Sequence, residues 1–240
     1  MLPLSDPDLV RRHFPILNVA LIVLNFLVFF YMLTLSPTGS DIFIYRFGFI
    51  PVELIQGTSI TTATLPDGSM VNIASSISPW LTLFTSMFIH AGWLHILGNM
   101  LYLWIFGDNV EDRFGHFKYV FFYLLSGLAA ALLQTVIIPS SDIPNVGASG
   151  AIAGVLGAYM VLYPSSRVRT LLLITIFPVI TRIPAFILLV LWFLLQLVSG
   201  VGSLGSADAG IAYFAHVGGF LFGMGVAGIY RLLTRKPAKK

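Results

Sequence analysis

The sequence predicts an all-α polytopic membrane protein, and three observations predict it. Hydrophobic residues fill 57% of the 240 positions and charged residues only 10%, with a mean hydropathy of +0.91; soluble domains carry roughly 25% charge. Apolar stretches long enough to cross ~30 Å of hydrocarbon recur along the chain between short polar connections. Lysine and arginine fall almost wholly on alternate connections. Little chain is left over for a large soluble domain.

Residues 1–14 are short and polar, with Arg11-Arg12 just before Phe14-Pro15. The apolar run that follows gives a first span at 16–35. A signal peptide also opens on basic residues, but its apolar core is only ~7–15 residues and ends at a small-residue cleavage site. This run is longer and ends in Ser36-Pro37-Thr38-Gly39.

The connection 36–92 is long for so small a protein, and loops of that length are usually functional. Residues 60–65 and 70–74 flank Pro66-Asp67-Gly68-Ser69, a β-hairpin pattern. Phe43, Tyr45, Phe47 and Phe49, then Trp80, Leu83 and Phe84, make this first loop apolar enough to lie in the membrane interface.

A second span is expected at 93–110, closed by Gly107-Asp108-Asn109-Val110-Glu111-Asp112-Arg113, and a third at 117–138. After a polar turn, 149–163 gives a fourth, ending before Pro164. Residues 171–180 are too short to span and are cut by Pro178, so they are expected to be re-entrant or interfacial. The fifth span is 184–199 and the sixth 210–232, with a basic tail at 233–240.

Charge placement orients this count. With the N-terminus inside, the inner segments hold Arg11, Arg12, Arg113, Lys118, Arg167, Arg169, Arg182, Arg231, Arg235, Lys236, Lys239 and Lys240; the outer ones hold only Arg46. That asymmetry predicts both termini on the cytoplasmic side of a cell membrane. It also accounts for the net charge of +3 without a nucleic-acid partner. With no cysteine there is no disulfide, no thiolate nucleophile and no Cys-ligated metal.

Ionisable groups inside spans are functional candidates by default. Two histidines lie there, His95 and His216, and His90 sits just before the second span. Ser149 opens the fourth span within Val146-Gly147-Ala148-Ser149-Gly150. Gly-x-Ser-Gly is weak alone, because serine is a favoured helix N-cap. Helix rise strengthens it. Ser149 lies about 21 Å above Tyr163, and His216 about 22 Å above Arg231, at 1.5 Å per residue. His95 comes to the same level, below the outer surface of a ~30 Å core.

Lateral contact has its own signal. Gly150, Gly154 and Ala158 repeat along the fourth span. His216, Gly219, Gly223 and Ala227 share a face of the sixth. Small-residue stripes let membrane helices approach closely. A histidine within reach of Ser149 can take its proton. Asn99, four residues after His95, presents an amide on the same face, so both can join the Ser149 N–H in stabilising an oxyanion. Asp208, eight residues before His216, reads as a solvated loop carboxylate, which leaves a Ser-His dyad.

These residues resemble the rhomboid family of intramembrane serine proteases. The resemblance rests on Gly147-Ala148-Ser149-Gly150, on His95-x-x-x-Asn99 preceded by His90, and on Ala215-His216-x-x-Gly219-x-x-x-Gly223. Glu111-x-Arg113-x-Gly115 and the six-span layout add to it, and it covers roughly residues 15–232. It implies a six-transmembrane-helix rhomboid-like bundle with a membrane-associated first loop. Ser149 would be the nucleophile, His216 the general base and acid, and His95, Asn99 and the Ser149 amide the oxyanion donors. His90, Gly147, Gly150, Gly219 and Gly223 would support them. Phe186, Trp192 and Phe193 on the fifth span would flank the path of the substrate. Substrates would be single-span membrane proteins, cut near the outer end of their helix, with the lipid bilayer as the other partner and no cofactor or metal.

Two departures stand out. The family often has Trp-Arg in the first loop, where this chain has Trp80-Leu81. Some members place a tyrosine beneath the histidine, four residues after the serine, where this chain has Ala153; something else must orient His216. The alternative reading is a non-catalytic relative that binds transmembrane clients, although such relatives usually lose the serine or the histidine. A transporter would show internal repeats, and a zinc protease His-Glu-x-x-His; the sequence has neither.

Overall fold

Uncharged apolar stretches in lipid must satisfy their own backbone, and they do so as helices. The structure, a computed structural model, describes residues 1–65, 68–74, 77–174, 177–204 and 212–234. Its principal helices are α1 (Ile16–Leu33), α5 with its continuation α6 (Trp93–Tyr102, Asp108–Phe114), α7 (His116–Ile137), α8 (Ser149–Leu162), α9 (Ala185–Ser203) and α10 (Tyr213–Thr234). Each expected span thus overlaps one of these helices, the second overlapping the pair α5 and α6. The protein is a polytopic membrane bundle. Four of the described helices (α1, α7, α9, α10) are long and apolar enough to cross a membrane, and five if the bent pair Pro79–Phe88 and Trp93–Phe114 is one span. At 14 residues, α8 falls short of the ~20 that a crossing needs.

The core is α7, α8 and α10. Gly154 packs against Ser126 of α7, and Gly157 against the Phe220 carbonyl of α10. Gly219 and Gly223 in turn meet the carbonyls of Gly150 and Gly154. Ala158 and Ala227 are both fully buried, so the two stripes face each other.

Polar side chains tie the other helices to this core. Glu111 accepts from the backbone N–H of Leu17 (3.0 Å) and Asn18 (2.6 Å), donors that the start of α1 leaves unpaired. Between α5 and α6, Leu103–Gly107 widens to a π-helical turn. The buried Asn18 amide donates to the Leu103 carbonyl there (3.0 Å) and accepts from the Tyr119 hydroxyl (2.6 Å). Such a turn needs outside partners of this kind.

The first loop is largely helical: α2 (Pro37–Phe47), α3 (Pro51–Gln56) and α4 (Pro79–Thr85). Proline opens each helix, where its missing N–H leaves no bond unmade. Between α3 and α4, β2 (Thr62–Thr64) pairs antiparallel with β3 (Met70–Asn72). The apex Pro66-Asp67 lies outside the described residues, as do Asp208, the start of the sixth span at 210–211 and the basic tail from 235.

The segment 171–180 departs from the re-entrant expectation. Apart from 175–176, which lie outside the described residues, it belongs to the antiparallel pair β4 (Arg167–Ile174) and β5 (Phe177–Pro184), and β1 (Leu2–Ser5) adds to the other edge of β4, in the order β1-β4-β5. The cause is visible at its base. Val168 and Thr170 are buried while Arg167 and Arg169 are exposed, the period of two that selects a strand. Pro178 sits on the edge strand β5, where a missing N–H is tolerated.

Candidate active site

A tight loop sets the position of Ser149. Gly147 has φ +117°, a backbone conformation that side chains other than glycine rarely adopt, and the His95 ring occupies the space a β-carbon would need. The Gly147 N–H donates to the Ser86 carbonyl (2.9 Å). The Ala148 N–H donates to Nε2 of the fully buried His90 (3.5 Å), whose ring lies edge-on to His95 at 4.9 Å. The N-cap is then Ala148, not Ser149. The serine hydroxyl therefore makes no cap and is free for another partner.

That partner is His216. Its Nε2 lies 2.7 Å from the Ser149 Oγ. Its Nδ1 lies 2.7 Å from Oε1 of Gln196 on α9. An amide oxygen can only accept, so Nδ1 carries the proton. In the neutral ring Nε2 then presents its lone pair and accepts the Ser149 O–H. This is the tautomer in which a histidine can deprotonate a serine.

The helix carrying His216 is itself fixed at its start. Gln134 of α7 reaches across to accept from the Ala215 N–H (3.1 Å), which it shares with the Ala212 carbonyl (3.1 Å) in the first turn of α10. The Trp192 ring lies 6.0 Å from the imidazole, centroid to centroid. Ala153 is buried and has no ring to set against the imidazole, and Trp192 and Gln196 meet the ring from α9.

Opposite Ser149 and His216 stand His95 and Asn99. Asn99 Nδ2 donates one proton to the His95 carbonyl (3.1 Å) and keeps its second N–H for another acceptor. Both side chains line a cavity of about 530 Å³ together with Ser149, Trp192, Gln196 and His216. Ser149, as the first residue of α8, also contributes a backbone N–H without an intrahelical partner. The cavity thus combines a hydroxyl, a base and several convergent N–H donors.

Ser149, His216, His95 and Asn99 are thus brought to one cavity. His90 and Gly147 stand behind it as supports, and Gly150, Gly219 and Gly223 lie in the α8–α10 seam. Phe193 packs on Phe220 (4.8 Å) instead of lining the cavity, and Phe186 is exposed near the start of α9. Gln196 and Gln134 are not among the site residues expected from the sequence, which are the span histidines, Ser149 and the amide that shares a helix face with His95. Their signal was available: each is an uncharged polar residue inside an apolar helix.

A protein-family model described as the Rhomboid domain matches residues 78–232, more than half of the chain. RHOMBOID-like protein 1 of Arabidopsis thaliana is 31% identical over 222 residues, covering 89% of this chain and 52% of that protein. Rhomboid protease GluP of Bacillus subtilis (strain 168) is 32% identical over 119 residues, 50% of this chain and 23% of its own length. The chloroplastic Rhomboid-like protein 11 of Arabidopsis thaliana is 39% identical over 75 residues, 31% of this chain and 26% of that relative. The chain therefore spans about half the length of the first of these relatives and about a quarter of the other two.

Proposed function

The chain belongs to the rhomboid family, and from that premise we propose that it is an intramembrane serine endopeptidase. The observation that carries this reading is the chain of contacts Ser149–His216–Gln196, with both imidazole nitrogens engaged at 2.7 Å. Ser149 Oγ attacks the scissile carbonyl carbon and passes its proton to His216 Nε2. The oxyanion that forms is met by the free Asn99 N–H, His95 and the Ser149 N–H. Collapse breaks the C–N bond, and His216 returns the proton to the departing amine. Water then attacks the acyl-serine ester, giving a proton to His216 Nε2, and the ester bond breaks as that proton returns to Oγ.

The substrates are single-span membrane proteins, cut near the outer end of their helix. Two features support this. The helix α8 runs about 21 Å from Tyr163 to Ser149 at 1.5 Å per residue, so the hydroxyl lies beneath the outer face. The cavity is walled by α5 on one side and α9 on the other, two helices with large exposed apolar side chains. The chain lies in the cell membrane with both termini cytoplasmic. The end of the bundle opposite Ser149 carries three anchored arginines: Arg11 pairs with Asp108 (3.3 Å), Arg182 lies 3.9 Å from Asp8, and Arg231 donates to the Val161 carbonyl (3.1 Å).

The test is reconstitution in liposomes with a helical single-span substrate, comparing the wild type with Ser149→Ala and His216→Ala. Cleavage is expected from the wild type alone, together with covalent labelling of Ser149 by a fluorophosphonate. Undiminished cleavage by Ser149→Ala would overturn the assignment, and a folded wild type that neither cleaves nor labels would favour a client-binding protein.

A further inference from the structure

We propose that Gln196 is the positioning residue of this site. It selects the tautomer of His216, and so makes the competence of the base depend on where α9 stands. The proposal rests on the protease reading for its consequence, but not for its geometry.

The imidazole has two hydrogen-bonding edges. Ser149 takes one, and only a fixed acceptor on the other prevents the ring from adopting the tautomer with the proton on Nε2, which cannot accept from serine. Gln196 Oε1, 2.7 Å from Nδ1, is that acceptor. Nδ1 carries a proton both in the neutral ring and in the imidazolium, so the same amide oxygen serves throughout the proton's transfer. The remaining support is Trp192, one turn earlier on the same helix, whose ring lies 6.0 Å from the imidazole. Both of these partners of His216 stand on α9.

That helix is held unevenly. Its buried residues are Ala185, Leu188 and Leu189 at one end and Gly200 near the other. Between them Leu191, Leu194, Leu195, Leu197 and Val198 are exposed. The stretch that carries Trp192 and Gln196 thus presents much of its surface outward and lines the cavity with the rest. A displacement of this stretch by a few ångströms breaks the bond to Nδ1, because hydrogen bonds fail beyond about 3.5 Å. The orientation of the base thus depends on the seating of α9.

The experiment compares wild type, Gln196→Leu and Gln196→Glu in liposomes by three readouts. These are kcat and KM for a helical substrate, the rate of fluorophosphonate labelling, and the ¹⁵N chemical shifts of the His216 ring. Leucine removes the acceptor at similar volume. Its kcat and labelling rate are expected to fall about tenfold, the equivalent of one neutral hydrogen bond, with KM and melting temperature unchanged. The ring shifts should move from a pure Nδ1–H form towards a mixture. Glutamate restores an acceptor oxygen and should return most of the loss. Unchanged kcat and unchanged shifts in Gln196→Leu would overturn the proposal. So would a loss that glutamate does not rescue and that follows a fall in melting temperature. If the wild type neither cleaves nor labels, the shifts still decide: a tautomer change in Gln196→Leu upholds the positioning role while the protease reading fails, and no change removes both.

Discussion

Gly219 of α10 stands so close to the Gly150 carbonyl of α8 that a β-carbon on Gly219 would fall far inside van der Waals contact with that oxygen. His216 precedes Gly219 by one turn, and Ser149 is next to Gly150. The contact that brings the helices together therefore also sets the distance between hydroxyl and base. Gly219→Ala is expected to lower stability by about 1–3 kcal/mol through overpacking, and to reduce fluorophosphonate labelling more than that loss explains. Gly225→Ala, where a β-carbon meets open space, is the control and should unfold at or above the wild-type temperature. Thermal unfolding in detergent micelles measures both.

Glu111 does for α1 what a cap residue usually does from within. Its two oxygens receive the Leu17 and Asn18 amides, and the side chain is fully buried against His116 as well. Glu111→Ala leaves those donors unpaired and should cost about 1.5–3 kcal/mol, the range for hydrogen bonds to a charged group. Chemical unfolding of the purified protein reads this directly. A variant as stable as the wild type would show that water replaces the carboxylate.

Asn99 offers a spare N–H to the cavity while its other N–H stays with the His95 carbonyl. Under the proposed mechanism Asn99→Ala should lower kcat by roughly 10²–10³, the usual effect of removing one oxyanion donor. KM and the amount of folded protein should hold. If the protein instead fails to accumulate, Asn99 serves the fold.

Asp6 gives the molecule a pH dependence far from the cavity. Burial pushes its carboxyl from 3.8 up to about 6, only partly offset by the Tyr159 hydroxyl (2.9 Å) and by nearby Arg11, with Asp8 adding to the rise. The fold thus holds the Asp6 proton more tightly than the unfolded chain does. Its contribution to stability is full below about pH 4 and is lost as pH rises through about 6. Asp6→Asn keeps an oxygen for Tyr159 and Asn109 and cannot ionise, so it should flatten that part of the profile. Melting temperatures of both proteins between pH 4.5 and 7.5 are the check, and parallel curves would refute it.

Much of this arrangement can be read from residues alone, and the reasons are physical. The spans follow from hydrophobic length, and the common depth of Ser149, His216 and His95 follows from helix rise, which is nearly constant. The α8–α10 seam follows from glycine spacing. What escaped has weaker local signals. Gln196 and Asn18 are neutral, so a search for costly buried charge passes over them, although each carries a bond that shapes a neighbouring helix. The Arg167-Val168-Arg169-Thr170 alternation was masked by the apolar run after it, which reads equally well as a short helix or a strand. No local pattern announces that β1 pairs with a strand so distant in sequence.

That pairing has a consequence for biosynthesis. Leu2 faces Leu171 across the sheet, so the first strand finds its neighbour only after the helices up to α8 have been made. At about 5–20 residues per second, the interval is roughly 10–30 s. Through that time the backbone of β1 is open to any other extended chain nearby. Closing the sheet therefore waits for the segment before α9, and the N-terminal strand is among the last elements to be tied down.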